Sequence, residues 1–104
     1  MQLSTSYQDG RLELKLTGEL DHHAAKKTML AIGGIIDRSL PRECVMDMGG
    51  LTFMDSSGIA LVLNMHKRMA EIGGAASVIN VSHQPMKVLT AAGINRIVTI
   101  LETA

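Results

Sequence analysis

The sequence predicts an α/β domain: one mixed β-sheet that opens with an antiparallel hairpin and has helices packed on it. Three observations lead there. Apolar and polar residues alternate on both sides of Asp9-Gly10, the period of a strand with one buried and one wet face. Two later stretches space their apolar residues three and four apart, the period of a helix with one apolar stripe. Short, mostly apolar runs of strand length lie between and after them, as in a sheet interior. Strands joined through helices generally run parallel with right-handed crossovers, so the opening pair alone is expected to be antiparallel.

Taken in order, Leu3, Thr5 and Tyr7 alternate with polar neighbours, and Asp9-Gly10 is a favoured two-residue hairpin turn. Leu12, Leu14 and Leu16 then alternate with Arg11, Glu13, Lys15 and Thr17 along the second strand. Gly18-Glu19-Leu20-Asp21 breaks that alternation. Asp21 is placed to cap a helix whose stripe is Ala25, Met29, Ile32, Ile36 and Leu40. Gly33-Gly34 inside this stripe costs roughly 2 kcal/mol against two alanines, so either a backbone approaches closely there or the helix bends. Pro41 marks the exit.

Cys44 to Met48 reads as the third strand, ended by Gly49-Gly50, with Leu51-Thr52-Phe53-Met54 leading into Asp55-Ser56-Ser57-Gly58. A second helix is predicted from about Ser57 to Glu71, with Ile59, Val62, His66 and Met69 on one stripe and Leu61, Met65 and Ile72 beside it. Gly73-Gly74 stops it. Ala76 to Val81 forms the next strand, Pro85 sits near the start of a third helix, and Gly93 supplies its stop. Ile97, Val98 and Ile100 make a last short strand. The order is β-β-α-β-α-β-α-β in a single domain over residues 1–104.

Composition narrows the function. At 104 residues, 46 % apolar and 19 % charged, the chain can bury one core and is unlike a disordered tail. Ten basic residues balance ten acidic ones, which is not the footprint of a general nucleic-acid binder. Tyr7 and Phe53 are the only aromatic residues, too few for a base-stacking platform. Apolar runs fall far short of a membrane span, and no signal-peptide pattern opens the chain. Cys44 stands alone, which rules out an internal disulfide and a thiolate zinc cage. A cytoplasmic domain with no direct contact to nucleic acid or membrane is expected. The eight methionines fit either flexible core filler or an adaptable protein-binding surface, and composition does not choose.

Asp55-Ser56-Ser57-Gly58 is the most informative local feature. Ser56 can cap the second helix with its hydroxyl, which puts Ser57 in the first turn, and these residue types are common at helix starts for backbone reasons alone. The functional alternatives are a nucleophilic serine and a phosphorylation site. A nucleophile elbow needs glycine two residues before and two after its serine, whereas Met54 precedes Ser56 and Asp55 precedes Ser57 at that spacing. The adjacent His22 and His23 diverge on a strand or a helix, His66 falls on an apolar stripe, and His83 lies in a loop or first turn. No histidine pair has the i, i+4 spacing of a zinc-binding helix, and neither phosphate-binding glycine fingerprint occurs. No catalytic residue, metal site or cofactor is therefore expected in this chain.

Gly18-Glu19-Leu20-Asp21-His22-His23 followed by Leu51-Thr52-Phe53-Met54-Asp55-Ser56-Ser57-Gly58 closely resembles the anti-sigma-factor antagonists, a branch of the STAS domains. The Gly73-Gly74 break and the Ala92-Gly93-Ile94 exit also match, so the resemblance covers essentially the whole chain. Ile59-Ala60 stands where many relatives have Leu-Gly. The Asp-His-His run most resembles the sporulation branch, whose members oppose the anti-sigma F factor.

The resemblance implies partner switching. An unphosphorylated antagonist binds an anti-sigma factor that is also a serine kinase, and sigma is released. ATP or ADP with Mg is then expected on the kinase, not on this chain. Phosphorylation ejects the antagonist and a serine phosphatase resets it. By the same resemblance Ser57 is the phosphoacceptor, Asp21 contacts the kinase, and Asp55, Ser56 and Gly58 shape the docking loop. The same fold in another stress-signalling switch is one alternative, and a small serine hydrolase using Ser57 is a more distant one.

Overall fold

A computed structural model describes residues 1–102 of the chain. Strands β1 (Gln2–Gln8) and β2 (Arg11–Leu20) pair antiparallel, with Leu3 opposite Leu16, Thr5 opposite Leu14 and Tyr7 opposite Leu12. Asp9 and Gly10, at φ 53° and 81°, both adopt the positive φ that such a hairpin turn requires. Leu12, Leu14, Leu16 and Leu20 are fully buried, which places one face of β2 in the core as the alternation predicts.

Helix α1 (His22–Ser39), strand β3 (Glu43–Met54), helix α2 (Ser57–Glu71), strand β4 (Ala75–Val81), helix α3 (His83–Ala91) and strand β5 (Thr99–Glu102) follow. The sheet order is β1-β2-β3-β4-β5. Only the first pair is antiparallel, and β2 to β5 lie parallel to their neighbours. The predicted mixed sheet and element order are therefore the observed ones. Register places Leu12 beside Cys44 and Leu14 beside Met46, then Cys44 beside Ala76 and Met46 beside Val78. These residues share a sheet face, and the core is built on it together with Ile32 and Ile36 of α1 and Leu61, Met65 and Met69 of α2.

Two boundaries differ from expectation. Strand β3 does not end at Gly49-Gly50 but runs twelve residues to Met54. Its far half stays paired with β2 through two irregularities, with Thr17 opposite Gly50, Gly18 opposite Leu51 and Leu20 opposite Met54. A Cβ at Gly50 would lie 2.9 Å from the Leu16 carbonyl oxygen and 3.2 Å from Thr17 Cα. Glycine is needed there for close strand approach at a bulge, not for termination. At the other end, Ile94–Arg96 form a 3₁₀ turn after Gly93, so the last strand starts at Thr99. The third helix begins at His83 and has Pro85 in its first turn, as predicted, where a missing N–H costs nothing.

Neither reading of Gly33-Gly34 holds as stated, because the helix does not break there and what comes close is a side chain, not a backbone. Helix α1 is continuous over 18 residues, and a Cβ at Gly33 would sit 2.8 Å from the Arg68 guanidinium carbon. Arg68 of α2 crosses α1 at that point and reaches Asp37 at 2.8 Å. Two stripe positions leave the core: Leu40, in a left-handed cap conformation, is 62 % exposed, and Ile72 is also exposed. His66 is half-buried. Met46, Met48, Met54, Met65 and Met69 are fully buried, and Met29 and Met86 pack against the core, so the methionine excess is core filler.

Candidate functional site

Parallel neighbours end at the same edge of a sheet, so β2 and β3 deliver their following residues side by side. Leu20 stands opposite Met54, and the Asp55 N–H donates to the Leu20 carbonyl at 3.1 Å. Asp21 and Asp55, each the next residue along its strand, are thereby held at one point where α1 and α2 both begin. The five residues singled out from the sequence, Asp21, Asp55, Ser56, Ser57 and Gly58, all lie at this edge.

Asp21 is half-buried and extended, and its Oδ1 accepts from the Ala24 N–H at 2.9 Å, the cap the sequence predicts. Ser56 does not cap α2. It is exposed, already helical at φ −63° and ψ −17°, and makes no side-chain cap hydrogen bond. Asp55 takes that role one residue earlier. Its Oδ1 accepts from the Ser57 N–H at 2.8 Å and from the Ser57 Oγ hydroxyl in a short hydrogen bond. A carboxylate accepts two donors from the first turn better than a neutral hydroxyl does.

The Ser57 hydroxyl and then the Ser57 N–H hold the Asp55 carboxyl below its usual range, against some desolvation, with smaller help from the His22 N–H and imidazole. Asp55 is thus a poor base but a fixed anionic acceptor. It keeps the half-exposed Ser57 hydroxyl in one orientation. Cys44, the single cysteine, is buried in the core on β3, and burial pushes its thiol up to about 12. Among the described residues no three His, Cys, Asp or Glu side chains gather in a way that could hold a metal.

Gly58 is buried because Met54 lies against it. A Cβ there would sit 2.5 Å from Met54 Cγ and closer still to its sulfur. Met54 in turn is clamped by a residue that sequence reasoning missed. Gln84 of α3 accepts from the Met54 N–H at 2.9 Å and donates to the Met54 carbonyl at 2.7 Å. No periodicity marks Gln84, since its role depends on where α3 lands. A second missed feature is a mostly apolar groove of about 220 Å³ between α1 and α2, lined by His22, Ala25, Lys26, Met29, Ser57 and Ala60. Alanines at positions 25 and 60 are its one trace in the sequence.

A mixed five-stranded sheet with paired strand-to-helix loops at its carboxyl edge is the architecture of a STAS domain, and the family model for that domain matches residues 2–104. The chain belongs to the STAS domain family. Within it, the chain is similar to the anti-sigma F factor antagonist of Paenibacillus polymyxa, at 29 % identity over 98 % of this chain and 87 % of that one. It is also similar to the anti-sigma F factor antagonist of Lysinibacillus sphaericus, at 33 % identity over 78 % of this chain and 69 % of that one. Among solved structures, the unphosphorylated anti-sigma factor antagonist SpoIIAA superposes with a TM-score of 0.83 at 26 % identity, covering 95 % of this chain and 87 % of that one. The phosphorylated form of the Bacillus cell fate determinant SpoIIAA superposes with a TM-score of 0.74 at the same identity, covering 95 % and 90 %.

Proposed function

We propose that this chain is a phosphorylation-switched anti-sigma-factor antagonist. Its unphosphorylated form binds an anti-sigma factor that is also a serine kinase and frees the sigma factor. Phosphate on Ser57 ends that binding, and a serine phosphatase restores it. The anti-sigma factor is of the F type, in keeping with the relatives' names, and the same reading puts the chain in the cytoplasm of a sporulating cell. The chain acts by binding rather than by catalysis, as its family does.

The observation that carries this reading is the Asp55–Ser57 pair at the joined loop edge. The half-exposed hydroxyl is held in one direction by Asp55, at the sheet edge that also carries the acidic Asp21, in a fold shared with an antagonist solved both with and without phosphate. A carboxylate with a lowered pKa is a weak base, yet it can orient a hydroxyl for another protein's active site.

The test is reconstitution with an anti-sigma F kinase and ATP, followed by fragment-ion mapping. Phosphate on Ser57, absent in Ser57→Ala, is the expected result. Phosphate confined to Ser56 would sink the assignment. Asp21→Asn keeps the cap and removes the charge, so slower association with the kinase at low salt, converging with wild type at high salt, separates recognition from capping.

A further inference from the structure

The groove between α1 and α2 places a cation on the same wall system as the Ser57 hydroxyl. Helix α1 contributes His22, Ala25, Lys26 and Met29, and α2 contributes Ser57 and Ala60. The small side chains of Ala25 and Ala60 leave room between the helices, and the lining is otherwise mostly apolar. Lys26 is exposed and enters no ion pair among the described residues. Its aliphatic stem suits an apolar wall while its ammonium stays in water, free to swing over the groove.

We propose that Lys26 holds the phosphate of phosphorylated Ser57 across this groove, as an internal latch of the phosphorylated state. The inference rests on Ser57 being the phosphoacceptor. A phosphoserine brings up to two negative charges and three acceptor oxygens, and an ammonium is a mobile point charge that pairs with phosphate without demanding a fixed fork geometry. The other ionisable groups at this edge are Glu19, Asp21, His22, His23 and Asp55. The three carboxylates repel the phosphate, and of the two histidines His22 lines the groove. Lys26 is the one lysine or arginine among the residues that line the groove. Lys27, one residue on, lies along a different hollow with Met1, Leu3, Ala24, Thr28 and Ala31, so the chain carries its own control. A phosphate drawn to Lys26 bridges the groove mouth and covers the apolar strip that the unphosphorylated domain leaves open.

The experiment places phosphoserine at position 57 during translation, so that no kinase is needed, and follows the second phosphate ionisation by ³¹P NMR. In Lys26→Met that pKa should rise by about half a unit over wild type, as expected for losing a unit charge several ångströms away in a water-rich setting. Lys26→Arg should restore the wild-type value, and Lys27→Met should leave it unchanged. The difference should shrink as salt is added. Equal phosphate pKa values in wild type and Lys26→Met, or an equal rise in Lys27→Met, would overturn the latch. Failure of an anti-sigma kinase to modify Ser57 would instead count against the phosphoacceptor reading and would leave the titration result standing.

Discussion

The Gln84 carboxamide completes the hydrogen bonding of Met54 as a neighbouring strand would. Pairing between β3 and β4 extends only to Asp47 opposite Ile79, yet β3 continues to Met54. On its far side the Met54 peptide groups meet the Gln84 amide, which both donates and accepts. A side chain on α3 thus fixes the residue immediately before Asp55, and three elements converge on the loop.

Gln84→Ala should therefore lower stability by about 1–3 kcal/mol, the usual consequence of leaving buried backbone groups without partners. Gln84→Glu keeps the acceptor for the Met54 N–H but sets an anion against the Met54 carbonyl, so it should also destabilise. Urea titrations of the three proteins check this. Wild-type midpoints for both variants would mean that water replaces the amide at no cost.

Asp55 makes a pH-dependent contribution whose sign follows from its lowered folded value. Its ordinary value is 3.8, so the stabilisation is complete above that pH. It is lost as pH falls through the lower folded value, where the carboxylate protonates and releases its Ser57 donors. Asp55→Asn still accepts a hydrogen bond but does not titrate. Plotted against pH from about 5 down to about 2, the stability difference between wild type and Asp55→Asn should narrow steadily. A constant difference across that window would show that the carboxylate does not favour the folded state.

The two serines and the glycine should separate cleanly. Ser56→Ala should be close to neutral because the hydroxyl makes no cap bond, whereas removing a working cap costs about 1 kcal/mol. Asp55→Ala should show that loss. Gly58→Ala should destabilise by about 1–3 kcal/mol, the range for forced overpacking, because Met54 is fully buried and cannot swing clear. Thermal melts of the three variants give the order, and a Ser56→Ala loss equal to that of Asp55→Ala would reverse the assignment of the cap.

How much of this was legible depended on whether a residue acts locally or at a distance. The Asp9-Gly10 turn and the Leu12-Leu14-Leu16 alternation are local patterns, and both elements form where they point. Asp21 is likewise a local cap. Gly49-Gly50 misled, because a glycine pair that ends a strand and one that admits a close neighbour look alike until Leu16 and Thr17 are seen against Gly50. The choice between Ser56 and Asp55 as cap turned on a single backbone step, which residue spacing does not resolve. Gln84 and the groove under Ser57 depend on where α3 and α1 land, and no window of sequence contains that information.

Phosphorylation of Ser57, as proposed, replaces the hydroxyl that donates to Asp55 with an ester oxygen that cannot. Asp55 then loses its strongest partner and gains an anionic neighbour, although it keeps the Ser57 N–H. At the start of α2 the helix dipole favours the new charge by about 0.3–1 kcal/mol. Unit charges about 4 Å apart repel by about 1 kcal/mol in bulk water and about 4 kcal/mol near a protein surface. The carboxylate therefore works against the helix benefit in the wild type. Asp55→Asn removes the repulsion and leaves the dipole, so phosphate should stabilise the variant more than it stabilises wild type, a coupling that a double-mutant cycle isolates. Melting wild type and Asp55→Asn, each with serine and with phosphoserine at position 57, measures it. Equal shifts in both backgrounds would mean that the phosphate turns away from Asp55 entirely, and a larger gain in wild type would reverse the argument.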